Sequence, residues 1–190
     1  MMLDKIIRFI LRFKLKREQR ESSYLDMDHI QSVLVIFETQ HVSVITPFIK
    51  ELESMDKTVQ GYALRSDGDA RVYMESNYTI LDSKDNTVML GIPHKDIIKD
   101  LQSEHFDAVF DMTIDENLIL EYVLVSADAT MKVGLKKNEL PFYDFAITGI
   151  RNIEPENIDS ESDCETEISP VADLANTILH YLRMIKSSIP

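Results

Sequence analysis

The stretch that most constrains the fold is FDAVFDMTIDENLILEYVLVSADATMKVGL, from Phe106 to Leu135. Val109 and Phe110 give it the apolar middle of a strand, and Asp111 marks that strand's carboxyl end. Thr113 and Glu116 have the spacing of a capping box, in which each side chain takes an orphan amide at a helix start. Leu118, Ile119, Tyr122, Val123 and Val125 then recur at helical intervals, and Met131, Val133 and Leu135 alternate as a returning strand. Strand, helix and strand in this order form a βαβ unit. Such a unit joins parallel strands, and parallel sheets are covered on both faces.

A second unit lies upstream. Residues 32–37 are a continuous apolar run rich in β-branched side chains, as a strand buried on both faces should be. A turn at Glu38, Thr39 and Gln40 leads to a helix through about Ser54, with Pro47 expected in its first turn. Val59 to Leu64 is the next strand, and the crossover is expected to be right-handed. Residues 65–86 loosen into a turn at 66–70 and an edge strand or excursion. Thr87 to Ile92 is expected as a strand, followed by a helical turn from Pro93 to Leu101 and a last strand from Phe142 to Ile147. The expected fold is therefore α/β: a Rossmann-like, three-layer αβα arrangement with a mainly parallel sheet, preceded by a basic amphipathic helix.

The domain plan follows from composition along the chain. Residues 1–20 read as the basic helix, 21–31 as a polar linker and 32–190 as the α/β domain. Within that domain, acidic residues crowd 151–168, which is expected to form an exposed loop. The segment 169–186 reads as a closing helix, with Ser169 as N-cap, Pro170 at the first helical position and Val171, Leu174, Ile178, Leu179, Leu182 and Ile185 as its buried stripe. The lone Cys164 rules out a disulfide framework and suggests a reducing compartment.

Charge is the strongest functional hint. The chain carries a net −13, yet its first twenty residues hold Lys5, Arg8, Arg12, Lys14, Lys16, Arg17 and Arg20 against only Asp4 and Glu18. The rest is therefore more acidic than the total suggests, and it will not bind nucleic acid through its general surface. Leu3, Ile6, Ile7, Ile10 and Phe13 fall on one side of the basic helix. Arg8 and Arg12 interrupt the apolar run far short of the roughly 20 residues needed to span a bilayer. The interruption and the lack of a small-residue cleavage site also argue against a secretory signal. Such a helix can lie in a membrane interface, dock on an acidic partner, or pack back on its own domain.

Catalytic signals are sparse. No Gly-x-Gly-x-x-Gly or Walker pattern follows any strand, and five glycines are too few to build one. No Gly-x-Ser-x-Gly elbow, zinc-ligand spacing or calcium loop is present. In an open α/β sheet, ligands sit at the carboxyl ends of the strands near a switch in strand order. His41, His94, Asp111 and Thr113 are the candidates for such a crevice, with Asp111 able to hold a hydroxyl or act as a base. The competing reading of Asp111 is a carboxylate that accepts amides in a strand-to-helix turn. That of the histidines is a structural or surface role.

The passage ending in Asp111 and continuing to Lys132-Val133-Gly134 resembles the N-terminal domain of the heptosyltransferase-like glycosyltransferases. Those enzymes bind the nucleotide sugar mainly with a C-terminal domain, for which this chain leaves no residues. Over most of its length the sequence also resembles a family of unknown function found in Bacteroidota. That likeness is carried by Phe106, Asp107, Asp111 and Thr113, by the Val133-Gly134 strand, and by the closing residues His180 to Lys186. It implies a bacterial cytoplasm and no particular activity. The expectation is a non-enzymatic interaction or scaffold protein without a cofactor or metal. It would be cytoplasmic, either free or peripheral at the inner membrane face, and would use residues 1–20 to engage an anionic membrane surface, a ribosome or an acidic protein. The alternative is a small-ligand-binding or glycosyltransferase-like protein that uses the crevice.

Overall fold

A computed structural model describes residues 2–17, 23–65, 78–82, 92–149 and 169–185. The expected turn at 66–70, nearly all of the strand expected at 87–92, the acidic loop at 151–168 and Arg20 lie outside the described residues. The elements are α1 (Met2–Arg17), β1 (Ser32–Glu38), α2 (Val42–Ser54), β2 (Thr58–Arg65), β3 (Tyr78–Asp82) and α3 (Lys95–Ser103). They continue with β4 (His105–Asp111), α4 (Leu118–Ser126), β5 (Asp128–Leu135), β6 (Phe145–Ile147) and α5 (Pro170–Met184). Among the described residues, six strands form one sheet in the order β3-β2-β1-β4-β5-β6, and every pair in it is parallel.

Alternation along β1 shows why the sheet needs two covers. Val33, Val35 and Phe37 enter a core shared with α2 and α5, whereas Leu34 and Ile36 enter the opposite core with α1, α3 and α4. All five are fully buried, so this strand is central and has no polar face. Residues 23–31 add to the first core: Leu25, Met27 and Ile30 are buried there. Asp107 then anchors the start of β1, accepting the Gln31 and Ser32 amides at 2.8 Å each.

Local expectations fail where tertiary partners outcompete local ones. The Thr113–Glu116 capping box does not form. The cap of α4 lies four residues later, with Asn117 Oδ1 accepting the Ile119 and Leu120 amides at 3.1 and 3.3 Å. Thr113 is instead bonded to Asp111 and Lys137, and Glu116 to Arg8. The last strand is only three residues, because Phe142 is buried in the core and Tyr143 reaches Asp111. A 3-10 turn over Thr39–His41 precedes α2, and Pro47, the sixth residue of the helix, lies in its second turn and not its first. Ser169 stands before α5 without a side-chain capping bond, although Pro170 does occupy the first turn.

Candidate functional site

Two places bear on function: the carboxyl edge of the sheet and the outward face of α1. The strand order reverses between β1 and β4, the switch point at which open α/β sheets bind ligands. There, Asn117 Nδ2 donates to Glu38 Oε1 at 3.3 Å, bridging the end of β1 to the start of α4. Asp111, at the end of β4, is buried with its side chain 3% exposed. Its Oδ1 accepts the Thr113 amide at 2.9 Å and the Thr113 hydroxyl at 2.6 Å. Its Oδ2 accepts Lys137 Nζ at 2.8 Å and the Tyr143 hydroxyl at 2.6 Å. Lys137 also donates to Thr113 Oγ1.

A carboxylate has about four acceptor positions, and here the chain itself fills them. Asp111 and Thr113 are therefore tied into a buried network, with no oxygen of Asp111 left for a substrate. Burial first, and the nearby Asp111 charge second, push the Tyr143 hydroxyl far above its ordinary pKa. Tyr143 is thus a fixed donor and not a proton shuttle. Gly134 makes this arrangement possible. It lies opposite Asp111 in the β4–β5 register, and a Cβ there would stand 2.6 Å from Tyr143 Cε1 and 3.0 Å from Asp111 Cβ.

One further acid sits beside the network. Glu121 on α4 is 2% exposed; its Oε1 accepts Asn138 Nδ2 at 3.1 Å, and its Oε2 has no hydrogen-bond partner. Burial raises its pKa, against a smaller opposing pull from Arg8. His41 and His94 are not brought into this network. His41 lies 3.9 Å from Glu38 and contacts Gln40, and His94 caps α3, with Nδ1 3.1 Å from Asp96 Oδ2. Lys137, Tyr143, Glu121 and Asn138 escaped the sequence reading. The visible signal was Glu121 itself, a lone acid inside the apolar run LILEYVLVS.

Helix α1 has two apolar faces where a single one was expected. Ile7 and Leu11 are buried against the core that includes α4, while Ile6, Phe9 and Phe13 are exposed by 43%, 70% and 61%. The basic residues divide likewise. Arg8 pairs with Glu116. Lys14 Nζ donates to Ser126 Oγ at 2.7 Å and lies 4.3 Å from the Tyr122 ring centre, beside the carboxyl end of α4. Lys5 and Arg12 are exposed and make no hydrogen bond or ion pair among the described residues. The side chains of Lys16 and Arg17 lie outside the described residues.

Among the described residues, no helix is long and apolar enough to cross a membrane, and no cluster of three or more His, Cys, Asp or Glu side chains is placed to hold a metal ion. No curated protein and no solved structure matches the chain. A family profile does match residues 4–161, from within α1 through β6, so α1 falls inside the matched region together with the sheet. On that match the chain belongs to a family of unknown function (DUF6913).

Proposed function

We propose that this is a non-enzymatic, peripheral membrane protein that docks on anionic phospholipid through the outward face of α1. The observation that carries the reading is the exposure of Phe9 and Phe13 on a helix whose opposite face is already docked. Two large aromatic side chains at i and i+4, next to Ile6 and flanked by Lys5 and Arg12, are the surface an interfacial helix presents to a bilayer. Burying each phenylalanine contributes about 1.5–3 kcal/mol, and each cation near an anionic surface about 1 kcal/mol. Binding of this size is reversible. A bacterial cytoplasm and the inner membrane face are the setting that fits it.

A ribosome would use the cations but leave the phenylalanines unexplained; an acidic protein would use both, and flotation on protein-free vesicles separates that case from the bilayer. The alternative, a small-ligand or glycosyltransferase-like crevice, finds less support: Asp111 and Thr113 are consumed internally, and His41 and His94 bond to their own neighbours. The test is flotation with vesicles of phosphatidylcholine alone or with phosphatidylglycerol added. Only the anionic vesicles should carry the protein up. The pair Phe9→Ser and Phe13→Ser should reduce the apparent vesicle affinity at least tenfold, the equivalent of about 1.4 kcal/mol. Equal flotation on both vesicles, no flotation, or cosedimentation with ribosomes alone overturns the reading.

A further inference from the structure

Between α1 and the turn at 139–141 runs a trough of about 610 Å³, walled by Phe9, Phe13 and Leu15 on one side and by Leu140 and Pro141 on the other. We infer that this trough receives the acyl chain of an anionic phospholipid, with Arg12 at its rim meeting the phosphate. The inference rests on the membrane reading above and adds a defined lipid site to it.

The trough's size is within the roughly 300–1,000 Å³ of small-molecule sites. Its walls offer almost nothing to a polar ligand. The Leu140 amide already donates to Asn138 Oδ1 at 2.9 Å, the Leu140 carbonyl accepts the Phe142 amide at 2.9 Å, and Pro141 has no amide hydrogen. The Glu139 backbone and the Pro141 carbonyl are the main-chain polar groups that remain at this wall, so a peptide laid there would strand most of its own backbone groups, at a cost of about 1–3 kcal/mol each. An alkyl chain has no such groups to strand. The charged lining residues are Arg12 and Glu139. Glu139 is 96% exposed, with Lys136 Nζ at 4.0 Å, and it points to water. Arg12 has no partner among the described residues, so an anion at the rim meets an unneutralised guanidinium.

Both walls are braced on the same helix. Ile7 and Leu11 pack α1 into the core with α4, and Asn138 ties the turn to Glu121 of α4. A site held this way is formed before its ligand arrives, which lowers the entropic cost of binding. It also assigns the buried Glu121 a position in the molecule, as the post on which the turn is fixed.

The experiment is calorimetric titration of the full chain with palmitoyl lysophosphatidylglycerol below its micelle concentration, beside glycerophosphoglycerol, which lacks the chain. One-to-one binding of the lysolipid and none of the headgroup alone is expected. Arg12→Glu should weaken binding about tenfold, and Leu140→Arg should abolish it. Phe13→Asp, at an exposed wall position, serves the same end should Leu140→Arg fail to fold. Absence of lysolipid binding, equal binding of the headgroup alone, or undiminished binding by folded Leu140→Arg or by Phe13→Asp overturns the inference. Vesicle flotation separates the two ideas. Flotation without lysolipid binding removes the trough and keeps the membrane surface. Lysolipid binding without flotation keeps the trough and removes the bilayer.

Discussion

Asp111 and Lys137 show how much of this molecule's polar chemistry is spent on holding itself together. Both side chains are at most 5% exposed, so removing one partner strands a buried charge. Lys137→Met should therefore lower stability by about 3–5 kcal/mol, while Asp111→Leu with Lys137→Met together should cost less than that single change. Urea unfolding of the parent and the two variants checks it; equal or larger loss in the double variant would contradict the structural reading of the pair. Glu121 acts in the opposite sense. Its folded pKa is raised by burial, so the native state binds more protons than the unfolded chain, and stability falls as pH rises through the interval from the unfolded to the folded pKa. Glu121→Gln should flatten that fall and raise stability by on the order of 1 kcal/mol above the folded pKa. Thermal melts across pH read both effects. At Gly134, alanine would press into Tyr143 and Asp111 and loosen the same network.

At the scale of elements, α1 has two apolar faces, one docked on the core and one exposed. Leu11 is fully buried, so Leu11→Ala should cost about 2–5 kcal/mol. The outward changes Phe9→Ser and Phe13→Ser should leave stability within about 0.5 kcal/mol. Deleting the helix would uncover the apolar α4 and confuse loss of an address with loss of the fold, which makes face-specific substitutions the informative ones. Strand β4 offers a second element-level test through Asp107. Burial works to raise its pKa, but the Ser32 and Gln31 amides and the Ser32 hydroxyl outweigh it, and the net shift is downward. Its contribution is present above the unfolded carboxylate pKa and lost as pH falls through the folded one. Asp107→Asn should thus weaken the protein at neutral pH, with the difference from the parent vanishing in acid.

For the whole molecule, an acidic body carries a helix whose free cations and aromatics face the same way. On the proposed membrane reading, charge would steer that face toward an anionic surface and turn the rest away from it. Raising salt from about 0.1 to about 1 M shrinks the Debye length from about 10 to about 3 Å. Vesicle binding should weaken accordingly while the phenylalanine contribution persists. Insensitivity to salt would leave Lys5 and Arg12 without a role.

Much of this was legible in the chain. The apolar run at 32–37 and the alternation at 131–135 mark strands, because hydrophobic period and strand length are local properties. The basic bias of residues 1–20 and the closing helix are local too. The strand order, however, depends on which strands pair, and pairing energies are spread over residues far apart in sequence. The fate of Thr113 and Glu116 illustrates the limit. Their spacing satisfies a capping box, yet Lys137 and Arg8 offer charge-assisted bonds that are stronger than those to backbone amides. In the same way periodicity marked α1 as amphipathic. Only the position of α4 decided that Ile7 and Leu11 would be inside and that Phe9 and Phe13 would meet water.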